Sequence, residues 1–276
     1  MTFSIVANVG EAFGVAVASK FLAVGSVVPG ARLGVGAVAT QAAADVSWKT
    51  RALELLAAGG TPNEVVTAMV ADNARPQDRQ LGLVDAVSQA TYTGRECLPW
   101  CGGVAGRDAS GGYAIQGNVL AGEEVVREAE QTWLTAAYLP LENRLTSALL
   151  AGDRAGGDRR GRQSAAIYAV APGAGYDQAG VLVDLRVDDH PDAPQELARL
   201  VDLSELYFGT ATNVLPLEGP LATEVRAMLD TVGQQDQPDL HAALTAWAGM
   251  ENYETRLSAD GIDARVLQAL REAAAR

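Results

Sequence analysis

The chain has 276 residues, 48% of them hydrophobic and 20% charged, and its formal net charge is −13. This composition is typical of a globular protein with one domain, or with one large domain and a small one. The acidic balance argues against nucleic-acid and anionic-membrane partners, because both recognise clustered Lys and Arg. The sequence contains no run of about eighteen apolar residues and no basic segment followed by an apolar one at its start. It therefore predicts neither a membrane-spanning helix nor a signal peptide.

The first part of the chain alternates strands and turns before two helices. Strands are predicted at residues 1–6, 13–19 and 33–39, with a turn at Pro29-Gly30. Helices are predicted at residues 47–58 and 61–73, the second of which begins with a hydroxyl cap, a proline and a glutamate.

The middle of the chain repeats this grouping. Further strands are predicted at residues 81–86, 90–94, 113–118, 165–170 and 180–187, and helices at 123–133, 141–150 and 193–206. Two loops separate them, a glycine-rich one at 96–112 and an arginine-rich one at 151–164.

The order of these elements predicts the fold class. Strands come in hairpins and helices in pairs, whereas a doubly wound parallel sheet alternates them one for one. The order fits an α+β fold in which two antiparallel sheets stack face to face between helix layers. After about residue 204 strand signals end, and three helices are predicted at 217–231, 237–248 and 262–274. We therefore expect an αββα domain over residues 1–204 and a small helical domain over 205–276.

The two cysteines, Cys97 and Cys101, do not define a site of their own. Their spacing allows a short-range disulfide but is no disulfide framework, and His190 and His241 lie far from them in the sequence. We expect buried or half-buried free thiols, with redox or metal roles as the alternatives. A cytoplasmic location is the matching expectation.

Thr2 carries the chemistry that the first strand suggests. Its small side chain favours removal of Met1, which would leave threonine at the N-terminus. A free α-amine has a pKa of about 7.7–8.0, so it can take the proton of the hydroxyl on the same residue as that oxygen attacks a carbonyl. A Met-Thr start alone is a weak signal, because many proteins share it.

The arrangement resembles the N-terminal nucleophile (Ntn) hydrolases, which include the proteasome β subunits, and in particular a prokaryotic family within that superfamily. The matching stretches are TFSIVA (2–7), GVAVASKF (14–21), GVGAVATQA (34–42), YAIQGN (113–118), GDRRGRQSA (157–165) and VDLRVDDHP (183–191). The tail, through LPLEG (215–219) and WAGMEN (247–252), resembles a peptidoglycan-binding-like domain attached to some members.

The resemblance implies a role for residues at the strand ends. Thr2 would be the nucleophile, lined by Ser19, Lys20 and Arg32, and a nearby cation would lower the pKa of its amine. The alternatives for the two cations are a solvated strand-end lysine and a simple loop charge.

The amides Gln41 and Asn118 would stabilise an oxyanion from the ends of their strands. Asp158 and Ser164 would support the N-terminal amine. For the two amides, bonding to local backbone is the alternative.

The arginine-rich loop has two interpretations. Arg159 and Arg162, with Gln163, could bind a substrate carboxylate, because guanidinium groups bind carboxylates in a bidentate manner. The alternative is pairing of Arg159, Arg160 and Arg162 with nearby aspartates, the candidates being Asp153, Asp158, Asp188 and Asp189.

The segment with Asp188, Asp189, His190 and Asp192 has ligand types that suit Mn²⁺ or Mg²⁺. We favour a structural loop, because nucleophile chemistry of this kind needs no metal. No metal or other cofactor is therefore expected.

The sequence thus leads to two hypotheses. The first is an Ntn-type amidohydrolase that cleaves an amide of a small, anionic substrate with Thr2. The second is a non-catalytic binding protein on the same scaffold, which binds a partner or glycan through the C-terminal helices. A homodimer is the expected oligomer.

Overall fold

A computed structural model describes residues 2–175 and 177–276 of the chain. The chain divides into two compact units, one ending at Val201 and the other spanning Asp202–Arg276. This division and the predicted boundary at 204/205 both fall within one helix. The prediction of a mixed α+β fold with antiparallel sheets is confirmed.

The elements up to the unit boundary follow in this order: β1 (Thr2–Val9), β2 (Ala12–Ser19), α1 (Val24–Val27), β3 (Pro29–Arg32), β4 (Gly36–Ala42), α2 (Ser47–Ala57), α3 (Pro62–Ala71), β5 (Arg79–Val84), β6 (Gln89–Thr93), β7 (Gly102–Arg107), β8 (Gly112–Asn118), α4 (Glu124–Thr135), α5 (Leu141–Arg154), β9 (Ser164–Val170), β10 (Val181–Val187) and α6 (Ala193–Phe208).

Two antiparallel sheets form the first unit. The six-stranded sheet has the order β10-β9-β2-β1-β8-β7, and the four-stranded sheet has the order β3-β4-β5-β6. β1 lies near the middle of the larger sheet and is buried on both faces, which explains why it carries apolar and hydroxyl residues throughout.

Three apolar clusters define how these elements pack. One packs α4, α5 and the first turns of α6 against the outer face of the six-stranded sheet, and includes Phe3 and Ile5. A second fills the space between the two sheets, with Val6 and Val15 from the larger sheet. A third packs α2 and α3 against the outer face of the four-stranded sheet. Both sheets therefore have one face on each other and one face under helices.

The structure corrects the predicted elements in three places. The segment 96–112, predicted as a loop, contains β7, and the turn predicted at Pro29-Gly30 is the start of β3. The strand predicted at 33–39 is β4, which begins three residues later and extends to Ala42. Glycine-rich strands give little periodic signal, so their ends are hard to place from the sequence.

The sequence predicts a purely helical second unit, and the structure corrects this prediction. The unit contains α7 (Gly219–Thr231), α8 (Leu240–Met250) and α9 (Ala264–Ala274), together with three short strands, β11 (Val214–Leu215), β12 (Leu257–Ser258) and β13 (Gly261–Asp263). The strands form one small antiparallel sheet in the order β11-β13-β12. Trp247 is buried in the core of this unit.

Candidate active site

Four polar residues form a row across the six-stranded sheet. Ser19 on β2 is paired with Ser164 on β9, and Thr2 on β1 is paired with Asn118 on β8. Thr2 and Ser19 are the two inner residues of the row, and their hydroxyl oxygens lie 3.1 Å apart, within hydrogen-bond distance. Directly paired residues of antiparallel strands project from the same face. The row therefore lies on the face that packs against the second sheet.

Thr2 is held through its backbone as well as its side chain. Its carbonyl oxygen accepts hydrogen bonds from Gln41 Nε2 at 3.2 Å and from Asn118 Nδ2 at 3.5 Å. Only 6% of Thr2 is exposed. These contacts fix the start of β1 in a mostly dry environment.

A layer of buried amides lies between the sheets directly behind Thr2. Gln41 Nε2 also donates to Gln80 Oε1 at 2.9 Å, and Asn118 Nδ2 donates to the same oxygen at 2.8 Å. Ser4 Oγ donates to Gln41 Oε1 and accepts from Gln116 Nε2, both at 2.6 Å. Buried polar groups that satisfy one another in this way are rigid, because each broken bond leaves an unpaired group.

Gly82 on β5 makes room for this layer. A Cβ atom at this position would lie 2.2 Å from Gln116 Oε1, which is far inside contact distance. The absence of a side chain on β5 therefore lets the amide of the facing sheet fit between the strands.

Asp158 anchors the arginine-rich loop to the end of β2. Its Oδ2 accepts the backbone N–H of Lys20 at 2.7 Å, and Arg160 pairs with the same carboxylate at 3.1 Å. The carboxylate is buried, whereas Arg160 is exposed. Asp158 thus acts on the residue that follows Ser19, and no hydrogen bond between its carboxylate and Thr2 occurs among the described contacts.

Ser164 supports the wall of the neighbouring pocket. Its hydroxyl donates to the carbonyl of Phe21 and accepts the backbone N–H of Val24 at 3.0 Å. These bonds hold the turn between β2 and α1. The described bonds of this hydroxyl therefore position the pocket, rather than the amine that the resemblance assigns to it.

A pocket of about 320 Å³ opens beside Thr2. It is lined by Thr2, Phe21, Val24, Val27, Val28, Gln41, Ala42, Ala44 and Val46. Thr2 and Gln41 are the polar side chains of this lining, and the other members are apolar. The described lining carries no charge.

Strained backbone flanks this pocket and row. Ala42 follows Gln41 with φ of 68°, Val119 follows Asn118 with φ of 50°, and Ala23 has φ of 53°. Residues with a Cβ atom avoid this left-handed region, and a β-branched residue does so most strongly. Such conformations concentrate at functional sites, where the surroundings hold them in place.

The arginines of the arginine-rich loop form ion pairs or line a different pocket from the one beside Thr2. Arg162 Nε donates to Asp153 Oδ1 at 2.7 Å, a bond that raises the pKa of Arg162, and its Nη1 is 3.5 Å from Asp192. The exposed Arg159 lines a separate, open and polar pocket of about 550 Å³. The pairing that the sequence offers as the alternative therefore holds for Arg160 and Arg162.

Arg32 is not brought to the row. It lies exposed at the end of β3, where it pairs with Gly36 at the start of β4. Gln41 lies five residues further along β4, about 17 Å away at roughly 3.3 Å per residue. Lys20 is adjacent to the row through its backbone, but its Nζ donates to the carbonyl of Arg162 at 3.3 Å. The described bond of the Lys20 ammonium is therefore to the arginine-rich loop.

The segment from Asp188 to Asp192 is tied to the arginine-rich loop. Gln163 Nε2 donates to Asp189 Oδ1 at 3.1 Å, and Gln163 accepts the backbone N–H of His190 at 2.7 Å. His190 Nδ1 accepts the backbone N–H of Asp192. Within residues 2–175 and 177–276, no group of three or more His, Cys, Asp and Glu side chains has an arrangement that could hold a metal ion.

The sequence does not single out three members of the site, Ser4, Gln80 and Gln116. Each is a polar residue inside a strand, and alternation of polar and apolar residues predicts that the polar side of the strand faces solvent. The signal that could have found Ser4 and Gln116 is the absence of charged residues from β1 and β8, since a solvated face normally carries some. β5, which holds Gln80, also carries Arg79 and gives no such signal. Cys97 and Cys101 are free thiols, buried and half-buried as predicted, and burial raises the pKa of Cys97 to about 11.

A family model matches the part of the chain that contains this site. A model described as "Family of unknown function (DUF1028)" matches residues 2–197, which include the whole row and the pocket. The chain belongs to the DUF1028 family. The crystal structure of protein SPO2555 from Silicibacter pomeroyi, also assigned to DUF1028, is similar with a TM-score of 0.64 and 26% sequence identity. The similarity covers 93% of this chain and 99% of that one.

The second unit of this DUF1028 protein has a match of its own. A model described as "Putative peptidoglycan binding domain" matches residues 207–270. No curated protein matches the sequence. None of the helices in the described part of the chain is long and apolar enough to span a bilayer.

Proposed function

We propose that this DUF1028 protein is an N-terminal nucleophile amidohydrolase whose nucleophile is Thr2, exposed by removal of Met1. Met1 itself lies outside the described residues. The observation that carries the proposal is the position of the Thr2 hydroxyl, which is bonded to Ser19 and borders a pocket. A hydroxyl nucleophile with a polar neighbour and room for a substrate is the minimum that acyl transfer needs.

The reaction follows from the two groups on Thr2. Oγ1 attacks the substrate carbonyl carbon while the α-amine takes the hydroxyl proton, and a tetrahedral oxyanion forms. Collapse breaks the C–N bond, the ammonium returns the proton to the leaving amine, and an ester on Thr2 remains. Water, deprotonated by the same amine, then hydrolyses the ester and restores the hydroxyl.

The burial of Thr2 supports the amine as the base. Burial disfavours the charged form of an amine and so lowers its pKa. Thr2 is mostly buried. In the proposal, desolvation therefore lowers the pKa of this amine.

Gln41, Asn118 and Asp158 position the nucleophile. The side-chain N–H groups of Gln41 are used by the Thr2 carbonyl, Gln80 and Gln116, so we assign Gln41 to holding β1 rather than to binding the oxyanion. Asn118 has the same role from β8. Asp158 fixes the residue after Ser19 through the Lys20 backbone.

The proposal includes the Ntn arrangement of layers and a cytoplasmic location. The Ntn arrangement of layers is supported by the stacking of two antiparallel sheets between outer helices. It is also supported by the position of Thr2 at the start of β1, inside the larger sheet. The two free thiols are consistent with a reducing compartment.

Labelling with a β-lactone probe tests the proposal. The probe acylates an activated hydroxyl, so wild-type protein should form one adduct that maps to the peptide containing Thr2. Thr2→Ala should form none, and Thr2→Ser should retain part of the labelling rate. Equal labelling of wild type and Thr2→Ala would rule out Thr2 as the nucleophile.

A second candidate function, glycan or partner binding, is favoured by the peptidoglycan-binding match over residues 207–270. Within the described second unit, Trp247 and Tyr253 are buried, and Phe208 is an exposed aromatic residue. Binding of the full chain to purified peptidoglycan, compared with a chain ending at residue 201, tests this function.

A further inference from the structure

We infer that the substrate presents a neutral, apolar acyl group to Thr2, and that the pocket lined by Phe21, Val24, Val28 and Val46 selects it. This inference rests on the proposed function and names the substrate class of the same site. It differs from the anionic substrate that the arginine-rich loop suggests.

The lining gives an anionic acyl group no partner. The polar side chains of the pocket are Thr2 and Gln41, and no charged side chain belongs to its described lining. The Gln41 amide is already bonded inward, to Ser4, Gln80 and the Thr2 carbonyl. A carboxylate placed here would lose its hydration without gaining a cation, which is strongly unfavourable.

The arginines of the arginine-rich loop have other partners. Arg162 pairs with Asp153 and Asp192, and Arg160 pairs with Asp158. Arg159 lines the separate polar pocket, which shares no residue with the apolar one. The arginine-rich loop therefore contributes no residue to the described lining of the pocket that would hold the acyl group.

The rim of the pocket also favours an apolar group. Phe21 is 51% exposed and Val46 is 49% exposed, although both are large apolar residues. An apolar acyl chain lying between them would remove this surface from water, which is favourable in proportion to the area buried. The exposed rim and the apolar interior thus form one continuous surface that ends at the Thr2 hydroxyl.

The volume sets the size of the group. A water-sized group takes about 30 Å³, so a cavity of 320 Å³ holds roughly ten of them. An acyl chain of about six to ten carbons fits this space. Each methylene buried up to that limit should raise kcat/KM about fourfold.

The test uses aminomethylcoumarin amides that share one leaving group and differ in the acyl part. Octanoyl, butyryl and succinyl amides are compared by kcat/KM with wild-type protein, and binding of N-octanoyl glycinamide and N-succinyl glycinamide is measured with Thr2→Ala. We expect the octanoyl amide to exceed the butyryl amide by at least tenfold and the succinyl amide by more. Val46→Lys, at the half-exposed rim, should reduce the octanoyl-to-succinyl ratio at least tenfold.

Val87→Lys is the matched control, because Val87 is 78% exposed outside the pocket lining, and its ratio should equal that of wild type. Turnover with a preference for the succinyl amide would overturn the inference and leave the proposed function standing. Selective binding of the octanoyl ligand without turnover or probe labelling would support the pocket and contradict the function. Absence of both turnover and binding would overturn both.

Discussion

The hydroxyl oxygens of Thr2 and Ser19 lie 3.1 Å apart at the adjoining ends of β1 and β2. The hairpin between the two strands brings together residues that are seventeen positions apart in the sequence. Ser19 is thus the nearest described side-chain partner of the proposed nucleophile, and its contribution can be measured separately from that of the amine.

Ser19→Ala should slow the proposed reaction without unfolding the protein. A neutral hydrogen bond contributes about 0.5–1.5 kcal/mol, so loss of this one should lower kcat by up to about tenfold. KM should change little, because Ser19 is not part of the pocket lining. Steady-state kinetics on an aminomethylcoumarin amide measures both values. Ser258→Ala, in the second unit, is the control, and an equal loss there would refute a specific role for Ser19.

Gln80→Leu should destabilise the first unit. The Gln80 amide accepts from Gln41 and Asn118 and donates to Thr93 Oγ1 at 2.9 Å and the Gly117 carbonyl at 2.7 Å. Its loss leaves buried groups unpaired, so the free energy of unfolding should fall by about 3 kcal/mol.

Urea unfolding followed by circular dichroism measures this change. Gln89→Leu is a suitable control, because Gln89 Oε1 has no hydrogen-bond partner among the described atoms, and its loss should cost under about 1 kcal/mol. Similar losses in the two variants would show that the amide layer has no special contribution to stability.

The buried side chain of Arg144 predicts an acid-sensitive first unit. Arg144 stacks 3.7 Å from the ring centre of Trp133 and pairs with Asp108. Burial alone would raise the pKa of Asp108, but hydrogen bonds from Ser110 and Arg144 hold it below its usual value. A lowered pKa in the folded state adds stability above the unfolded-state pKa of about 3.9, and that stability is lost as the pH falls through the folded-state value.

Asp108→Asn should therefore lower the free energy of unfolding at pH 7 by about 3 kcal/mol and weaken its pH dependence below pH 4. Glu124→Gln, which removes an exposed pair with Arg127, should cost less than about 0.5 kcal/mol. Urea titrations at pH 7 and pH 3 make the comparison. An unchanged pH dependence in Asp108→Asn would contradict the assignment.

The burial of Thr2 predicts the pH profile of the proposed reaction. The amine must be neutral to act as base, so kcat/KM should rise with pH and level off. The midpoint should lie at or below the ordinary α-amine pKa of about 7.7–8.0, because desolvation disfavours the ammonium form. Thr2→Ser keeps the amine and should keep the midpoint. A midpoint well above 8 would exclude a desolvated amine as the base.

The sequence predicts the fold class well because its signals are local. The grouping of strands and helices indicates antiparallel sheets, and the structure has them. It does not reveal β7, whose sequence GGVAGR has neither periodicity nor bulky residues, nor β11–β13, which are two or three residues long. Such strands form because a neighbouring strand offers hydrogen bonds, which no local pattern records.

The candidate site is predicted only where strand ends define it. Thr2, Ser19, Ser164 and Asn118 lie at strand ends, and pairing alone aligns them. The position of Gln80 depends on how two sheets stack, which is a long-range property, and so does the apolar character of the pocket.

The pairing of the arginines could not be predicted from their number. A loop rich in Arg and Asp can bind a ligand or pair internally, and the choice depends on where Asp153 and Asp192 lie in space. Arg162 contacts both in the folded chain.

The assignment of Thr2 as an N-terminal nucleophile is tested most directly by the intact mass of the protein produced in cells, measured before and after reaction with the β-lactone probe. The expected product is a chain lighter by one methionine residue that gains a single adduct on Thr2. A chain that retains Met1 would have its Thr2 nitrogen in a peptide bond, without a base, and that result would contradict the proposed mechanism.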